Sequence, residues 1–512
     1  MVRLGARTAT YALAGLATLL VAVAVGLAVS SARGAQPSAG GAHPSAGGAR
    51  IPARSARAAP PVRGLTRAFT DDVWFYGPSW TTRTVITGAR RVLLEIDWAS
   101  VAPDPPAPGV DPTSPSDPQY KFAYIDAVLR QFAGTGIQAA FLVSDAPAWA
   151  ESPGGPSALE AAGAWKPDPT AYGQLATVLA RRYSGSYPDP LNPGQALPRV
   201  RYYQAWAEAN INVHLSPQWV FSNGQWVQTG PLIYRSLLNS FYAGIKSVHS
   251  DNVVLTSGFG PFGDLPGACD NAQAGNGCRM PPAKFLRTML CVQGSALKPT
   301  ACPNPAHFDA LAMDPYEVGP PTRPAANVDD ATAPDLGNLM KIVNKARRSR
   351  RALPTSAKQL WVTEFSYDSN PPNPTAISAA TQARWLEQSF YVFWNEGVNT
   401  VVWYLLRDQA GTDYASSYFS GVYFYNGTPK PSFEAYRFPF VVMPAGKKKA
   451  RAWGISPRKG SVTVQRQKGA TWTTLFHVNV SAGGVFVRNI SPRLHGNFRA
   501  IVGGESSLIW KG

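Results

Sequence analysis

Eight short apolar segments alternate with helical patterns between residues 64 and 438, and this alternation limits the chain to few folds. The segments are 64–70, Arg91–Asp97, Gln138–Ser144, Val200–Trp206, Val253–Ser257, Phe308–Met313, Gln359–Thr363 and Val401–Leu405. They are rich in β-branched and aromatic residues, as strands buried on both faces of a parallel sheet are. Helical spacing appears between them in Phe122–Phe132, Pro169–Tyr183, Pro231–Val248, Leu336–Arg348 and Ala376–Glu396. Asp168 followed by Pro169 is a helix N-terminal signature. Such alternation admits a closed (β/α)8 barrel or an open doubly wound sheet. No glycine-rich phosphate loop follows the first strand, which argues against the open sheet. Asp97, Asp145, Glu208, Asp314, Glu364 and Asp408 all fall at or just past C-terminal strand ends, where barrel enzymes place their chemistry. The expected fold class is therefore α/β, a (β/α)8 TIM barrel.

Residues 439–512 read differently. Ser461–Arg466, Phe476–Val480, Gly484–Arg488 and Phe498–Val502 alternate or are β-rich, Gly, Pro and Ser separate them, and no helix pattern appears. A small C-terminal antiparallel β-sandwich is expected. At the other end, Arg3 and Arg7 precede an apolar stretch from Tyr11 to Val29, and Ser30-Ser-Ala32 offers a cleavage site. Residues 1–32 are thus expected to be a signal peptide or, since a membrane span needs ~20 apolar residues, a retained signal anchor. Residues 33–63, mostly Ala, Gly, Pro, Ser and Arg, read as a flexible linker. Either reading of the leader puts the rest outside the cytoplasm, secreted or tethered to the cell envelope.

Export favours disulfides. The four cysteines, Cys269, Cys278, Cys291 and Cys302, lie in one loop-rich stretch. Three pairings exist; the local one, Cys269–Cys278 and Cys291–Cys302, is the one expected, with free thiols as the alternative. No close Cys-x-x-Cys pair supports zinc, and no His/carboxylate cluster has metal-ligand spacing, so neither metal nor cofactor is expected.

The net charge of +17 is concentrated at the ends. Residues 439–512 hold twelve Lys/Arg against one acid, Glu505, whereas 64–438 hold 29 basic and 30 acidic residues. A basic tail domain on an exported chain suggests contact with an anionic envelope polymer or lipid, with plain solubility as the alternative. Nucleic acid is not an expected partner. Lys447-Lys-Lys449 reads as a solvated junction between domains.

Two of the strand-end carboxylates stand out. Glu208 follows Val200–Trp206 in Trp-Ala-Glu-Ala-Asn210, and Glu364 follows Gln359–Thr363 in Thr-Glu-Phe-Ser366. A charge beside an apolar core is costly. Glycoside hydrolysis needs such a pair, one carboxyl as proton donor and one as nucleophile or base. Ala207 and Ala209 give Glu208 a dry setting, which keeps an acid protonated. Thr363, Ser366, Tyr316 or Tyr367 could donate to an ionised Glu364.

On these motifs the chain resembles the retaining (β/α)8 glycoside hydrolases of clan A, nearest to the cellulase-like family 5 and β-xylosidase-like family 39. The resemblance covers roughly 65–438. It implies Glu208 as acid/base after the fourth strand and Glu364 as nucleophile after the seventh. It implies that Tyr316, in Asp314-Pro-Tyr316, hydrogen-bonds the nucleophile. Trp403 matches a sugar-stacking tryptophan, and Ser144-Asp-Ala-Pro-Ala-Trp149 resembles an aromatic platform. Phe419–Pro431 resembles the closing segment before the last helix. Trp206 and Asn210 complete the acid/base motif, and Trp98 is a further candidate for sugar contact. One departure stands out: Ala207 occupies the position of an asparagine that contacts the sugar 2-hydroxyl. The expected function is an exported retaining glycosidase acting on a polysaccharide or glycoconjugate. The alternative is a non-catalytic carbohydrate-binding protein on the same scaffold, for which Ala207 speaks. His214 and His307 are read as incidental.

Overall fold

The computed structural model describes residues 62–155, 162–265, 279–411, 413–414, 417–492 and 494–512. The expected leader, nearly all of the linker, Cys269 and Cys278 lie outside the described residues. Eight parallel strands close into a barrel in sequence order: β1 (Thr66–Thr70), β2 (Arg91–Asp97), β3 (Gln138–Ser144), β4 (Tyr202–Ala205), β5 (Val253–Phe259), β6 (Ala310–Met313), β7 (Gln359–Val362) and β8 (Thr400–Tyr404). β8 closes on β1 with Phe69 opposite Trp403. A helix follows each strand: α1 (Ser79–Ile86), α2 (Ala123–Phe132), α3 (Pro169–Arg182), α4 (Gly230–Val248), α5 (Pro282–Met289), α6 (Leu336–Arg348), α7 (Ala379–Glu396) and α8 (Pro431–Arg437). No described helix is long and apolar enough to cross a membrane.

Local chemistry sets the helix ends. The Asp168 carboxylate caps α3 by accepting from the Thr170 amide at 2.7 Å, and Ser378 caps α7 by accepting from Thr381 at 3.1 Å. Gly397 ends α7 at φ 96°, a left-handed conformation that glycine adopts without a Cβ penalty. The Cys291–Cys302 bond forms as expected, just past α5.

Strand alternation sorts side chains between two cores. Phe69, Val92, Leu94, Phe141, Val143, Val401 and Trp403 face the helices, whereas Ala68, Leu93, Ala140, Leu142, Tyr202, Leu255, Ala310, Ala312, Trp361 and Val402 fill the barrel. The interior is graded from end to end. At the N-terminal end Arg91 donates to Thr400 Oγ1 (2.7 Å) and to the Tyr202 hydroxyl (2.8 Å). Its guanidinium lies 4.2 Å from the Tyr202 ring centroid and 5.0 Å from that of Trp361, which plugs this mouth. Small apolar residues fill the middle, and carboxylates and phenols line the opposite end.

The C-terminal region is an antiparallel sandwich. One sheet is β9 (Phe440–Pro444), β10 (Ala450–Ile455) and β13 (Val485–Ile490). The other joins β12 (Thr471–Val480), β11 (Gly460–Lys468) and β14 (Asn497–Val502), with two short edge strands. It packs on α7, where Trp453 lies 6.0 Å from both Tyr391 and Trp394, and within it Trp510 Nε1 donates to the Val442 carbonyl, joining the two sheets. Lys447–Lys449 form the exposed loop between β9 and β10, so the expected domain junction is instead a hairpin tip inside the sandwich.

Candidate active site

The loop after β4 carries Glu208 on an unusual backbone. Trp206 has φ 79° and Glu208 φ 29°, left-handed conformations that cost a residue with a Cβ and persist only when surroundings impose them. The imposing contacts are explicit. Ala209 N–H donates to Ser257 Oγ at 2.8 Å, and Trp206 Nε1 donates to the His214 carbonyl at 2.7 Å. Asn210 accepts from Gly260 N–H (2.8 Å) and donates to the carbonyls of Gly260 (3.0 Å) and Met280 (2.9 Å).

Two glycines past the middle of β5 make room for the carboxylates. A Cβ at Gly258 would lie 2.2 Å from Asp314 Oδ2, and one at Gly260 would lie 2.9 Å from Glu208 Oε1. The Ser257-Gly-Phe-Gly260 pattern thus reflects neighbouring acids that need the space, the close-approach role that glycine plays in strands.

Glu364, at the end of β7, accepts from the Tyr316 hydroxyl at 2.8 Å. Burial and the facing Glu208 charge push Glu364 up to about 8; Glu95 adds to the rise, and the Tyr316 hydrogen bond and His214 oppose it. Glu208 and Glu364 are therefore within electrostatic reach of each other across one pocket, although 156 positions separate them in sequence. His214 Nε2 lies 3.5 Å from Glu208 Oε2. Burial works against the imidazolium, but the Glu208 hydrogen bond and charge, with Asp145 and Glu364 behind them, outweigh it and raise the His214 pKa. Asp314 is driven well above the ordinary carboxylate range by burial and by Glu364 and Glu208, against the Thr363 hydroxyl that donates to it at 2.7 Å. Glu95, inward on β2, is pushed up to about 7 by burial and then by Asp145.

Sequence reasoning brings together Glu208, Glu364 and Tyr316. It misplaces most of its aromatic platforms. Trp403 is 0% exposed, faces the helices and donates its indole N–H to the Ser420 carbonyl at 2.9 Å. The next residue, Tyr404, points inward, because neighbouring strand positions face opposite sides. Trp206 (0%) and Trp98 (1%) are likewise enclosed, so none of these three can touch a sugar. Asn210 is also 0% exposed, and its amide is spent on backbone groups, so it positions the Glu208 loop rather than binding substrate. Trp149 is half-buried, edge-on to Trp98 at 5.9 Å, with its indole N–H on the Ala102 carbonyl. Asp97 caps the turn at Trp98–Val101, and Asp408 pairs with Lys430, so both strand-end carboxylates are structural acceptors.

The reading missed four pocket residues: His214, Glu95, Tyr404 and Tyr418. The charges of Glu364 and Glu95 bear on both phenols, whose rings meet edge-on at 5.1 Å. Strand parity was the available signal for two of them. Glu95 follows inward Leu93 by two positions, and Tyr404 follows inward Val402 by two. His214, taken as incidental, lies six residues past Glu208, where the loop folds back. Among the described residues no group of His, Cys, Asp and Glu is arranged to hold a metal ion.

Replacing Tyr316 by Phe removes the donor that favours ionised Glu364. Activity is expected to fall by about 10–100-fold, since a hydrogen bond to a charged group is worth about 1.5–3 kcal/mol. The acid limb of the pH–rate profile should move to higher pH. A profile that keeps its shape and position would separate Tyr316 from the ionisation of Glu364.

The fold is a closed eight-stranded parallel (β/α)8 barrel with carboxylates gathered at the C-terminal strand ends. No protein-family model matches the sequence, and no curated protein matches it. Among solved structures the chain is similar to a family 39 glycoside hydrolase from the gut symbiont Bacteroides cellulosilyticus, at 16% identity over 84% of this chain and 81% of that one, with a TM-score of 0.50. It also aligns with a family 39 enzyme from Xanthomonas axonopodis pv. citri, at 12% identity, 84% and 92% coverage and TM-score 0.46. A monomeric β-xylosidase from Caulobacter crescentus gives 12%, 85%, 97% and 0.46. At such identities the likeness is one of fold.

Proposed function

We propose that the chain is an exported retaining glycoside hydrolase acting on a polysaccharide or glycoconjugate. The observation that carries this reading is the convergence of Glu208 and Glu364 from the ends of β4 and β7, one beside His214 and the other under the Tyr316 phenol. A Glu364 oxygen bonds to the anomeric carbon as the bond to the leaving oxygen breaks, and Glu208 passes its proton to that oxygen. Water then attacks the glycosyl-enzyme ester, Glu208 takes a proton from it, and Glu364 leaves as carboxylate. Attack needs Glu364 ionised, and Tyr316, by donating to Glu364, favours that state.

Export rests on the N-terminal segment, and we assign the basic C-terminal domain to an anionic polymer of the cell envelope. A non-catalytic, sugar-binding reading is favoured by one observation: Ala207, partly buried, packs its methyl on the barrel-interior layer where the resemblance calls for an amide donor.

Replacing Glu208 by Ala tests the assignment of roles. Hydrolysis of unactivated glycosides should fall by about 10²–10⁴-fold, the range of general acid–base catalysis. Aryl glycosides with good leaving groups should still form the intermediate, and added azide should then release a glycosyl azide of retained configuration. A broad glycan panel that yields no product with the parent protein, while glycans bind, would favour the non-catalytic reading.

A further inference from the structure

The sheet formed by β12, β11 and β14 turns one face to solvent. Its register and alternation place two cross-strand rows there, Trp472–Gln467–Asn497 and Thr474–Gln465–Arg499. None of the six is buried. Trp472 is the informative member. Its strand neighbours Leu475, Phe476 and Val478 pack on the core, and Trp472 does not. It stays half-buried on the solvent side of the sheet, with Arg499 laid over its ring.

The polar groups around it are ordered. The Arg499 guanidinium lies 4.1 Å from the Trp472 ring centroid, and its Nε donates to Gln465 Oε1 at 2.9 Å. Asn497 donates to Gln467 Oε1 at 2.8 Å. This bracing leaves the Gln467 amide N–H2 and the Asn497 carbonyl oxygen without a protein partner among the described residues. The result is an aromatic ring and the guanidinium laid over it, next to fixed amides, in rows ~7 Å apart along the strands. Such spacing suits pyranose rings laid across the sheet.

Charge complementarity selects the occupant. Residues 439–512 carry twelve Lys/Arg and the single acid Glu505, which Arg437 and Arg458 already engage. A carboxylate-bearing chain therefore meets only cations and neutral groups, and Arg499 offers N–H groups that match a carboxylate. We propose that this face is a second glycan-binding site, separate from the barrel, for an acidic polysaccharide. The inference deepens the envelope-polymer assignment and is independent of the catalytic one.

The test is affinity electrophoresis of the full chain carrying E364Q, at ~0.15 M salt so that diffuse attraction is screened. Gels contain polygalacturonate or neutral dextran. Polygalacturonate should retard the protein and dextran should not. W472A and R499Q should each weaken the apparent affinity by about 10-fold, the scale of one lost stacking or charged contact, with melting temperature unchanged. K459Q, which removes a charge elsewhere in the domain, should leave affinity intact. Undiminished retardation of W472A would overturn the proposal. So would an equal loss in K459Q, which marks diffuse attraction, or equal retardation by dextran, which marks a site indifferent to charge. E364Q removes hydrolysis from the measurement, so failure of the catalytic reading leaves the result intact.

Discussion

Glycoside turnover by Glu364→Gln is expected to fall by about 10⁴-fold or more, as when a nucleophile is removed from an otherwise intact site, while the barrel stays folded. The amide keeps the shape of the carboxyl and can still accept from Tyr316, but it cannot form the glycosyl ester. Undiminished hydrolysis would remove Glu364 from the mechanism. The same variant has a stability signature whose sign follows from linkage. Native Glu364 keeps its proton up to about 8, whereas an ordinary glutamate loses it near 4.5. Between these values the native state binds more protons than the unfolded chain, so stability falls as pH rises through the window. Glu95, raised to about 7, and Asp71, raised to about 8, act in the same direction. Glutamine has no proton to lose. Melting of the variant from pH 5 to pH 8 should therefore decline less steeply than that of the parent, and at pH 8 the variant should be the more stable by roughly 2–4 °C. A variant that melts lower than the parent at every pH would mean that Glu364 is not held protonated by its surroundings.

The second large effect is structural. Lys430 is 0% exposed at its side chain and donates to Asp408 (2.6 Å), Ser369 Oγ (2.9 Å) and the Phe419 carbonyl (2.8 Å). These contacts tie the loop after β7 to the loop after β8. Lys430→Met leaves Asp408 as a buried, unpaired carboxylate, which typically costs about 3–5 kcal/mol. Chemical denaturation should show that loss. Replacing both partners, Asp408→Leu with Lys430→Met, should recover most of it, because an apolar pair of similar volume avoids the desolvation penalty. A double variant no more stable than the single one would show that the bonds to Ser369 and Phe419, rather than the ion pair, hold the loops.

Why so much of the barrel was legible follows from burial. Parallel strands covered on both faces need apolar runs, and β3 shows one from Ala139 to Val143 and β2 a shorter one from Val92 to Leu94. Long amphipathic helices such as α6 were equally plain. α1, α5 and α8, which periodicity did not show, have only seven or eight residues, too few for a helical period to emerge; only the resemblance implied the last of them. β9 was hidden because Phe440-Val-Val-Met443 is a short continuous apolar run without the alternation that marked the other sandwich strands, and β10 because its hairpin tip is a lysine run. In the pocket, strand-end position exposed Glu208 and Glu364, but position says nothing about facing. Trp403 and Tyr404 are neighbours with opposite fates, and only the register of β8 against β1 separates them. His214 depended on the path of a loop, which composition does not encode.

The Arg91 plug has a consequence for traffic. With its lower mouth stopped by Arg91 against the tilted rings of Tyr202 and Trp361, the barrel is a cup rather than a tunnel. Under the hydrolysis proposed above, a polymer is not threaded through it, and every cleaved fragment backs out past the residues that admitted it. Whether a chain is trimmed from its tip or cut along its length is then decided by the loops around the upper mouth.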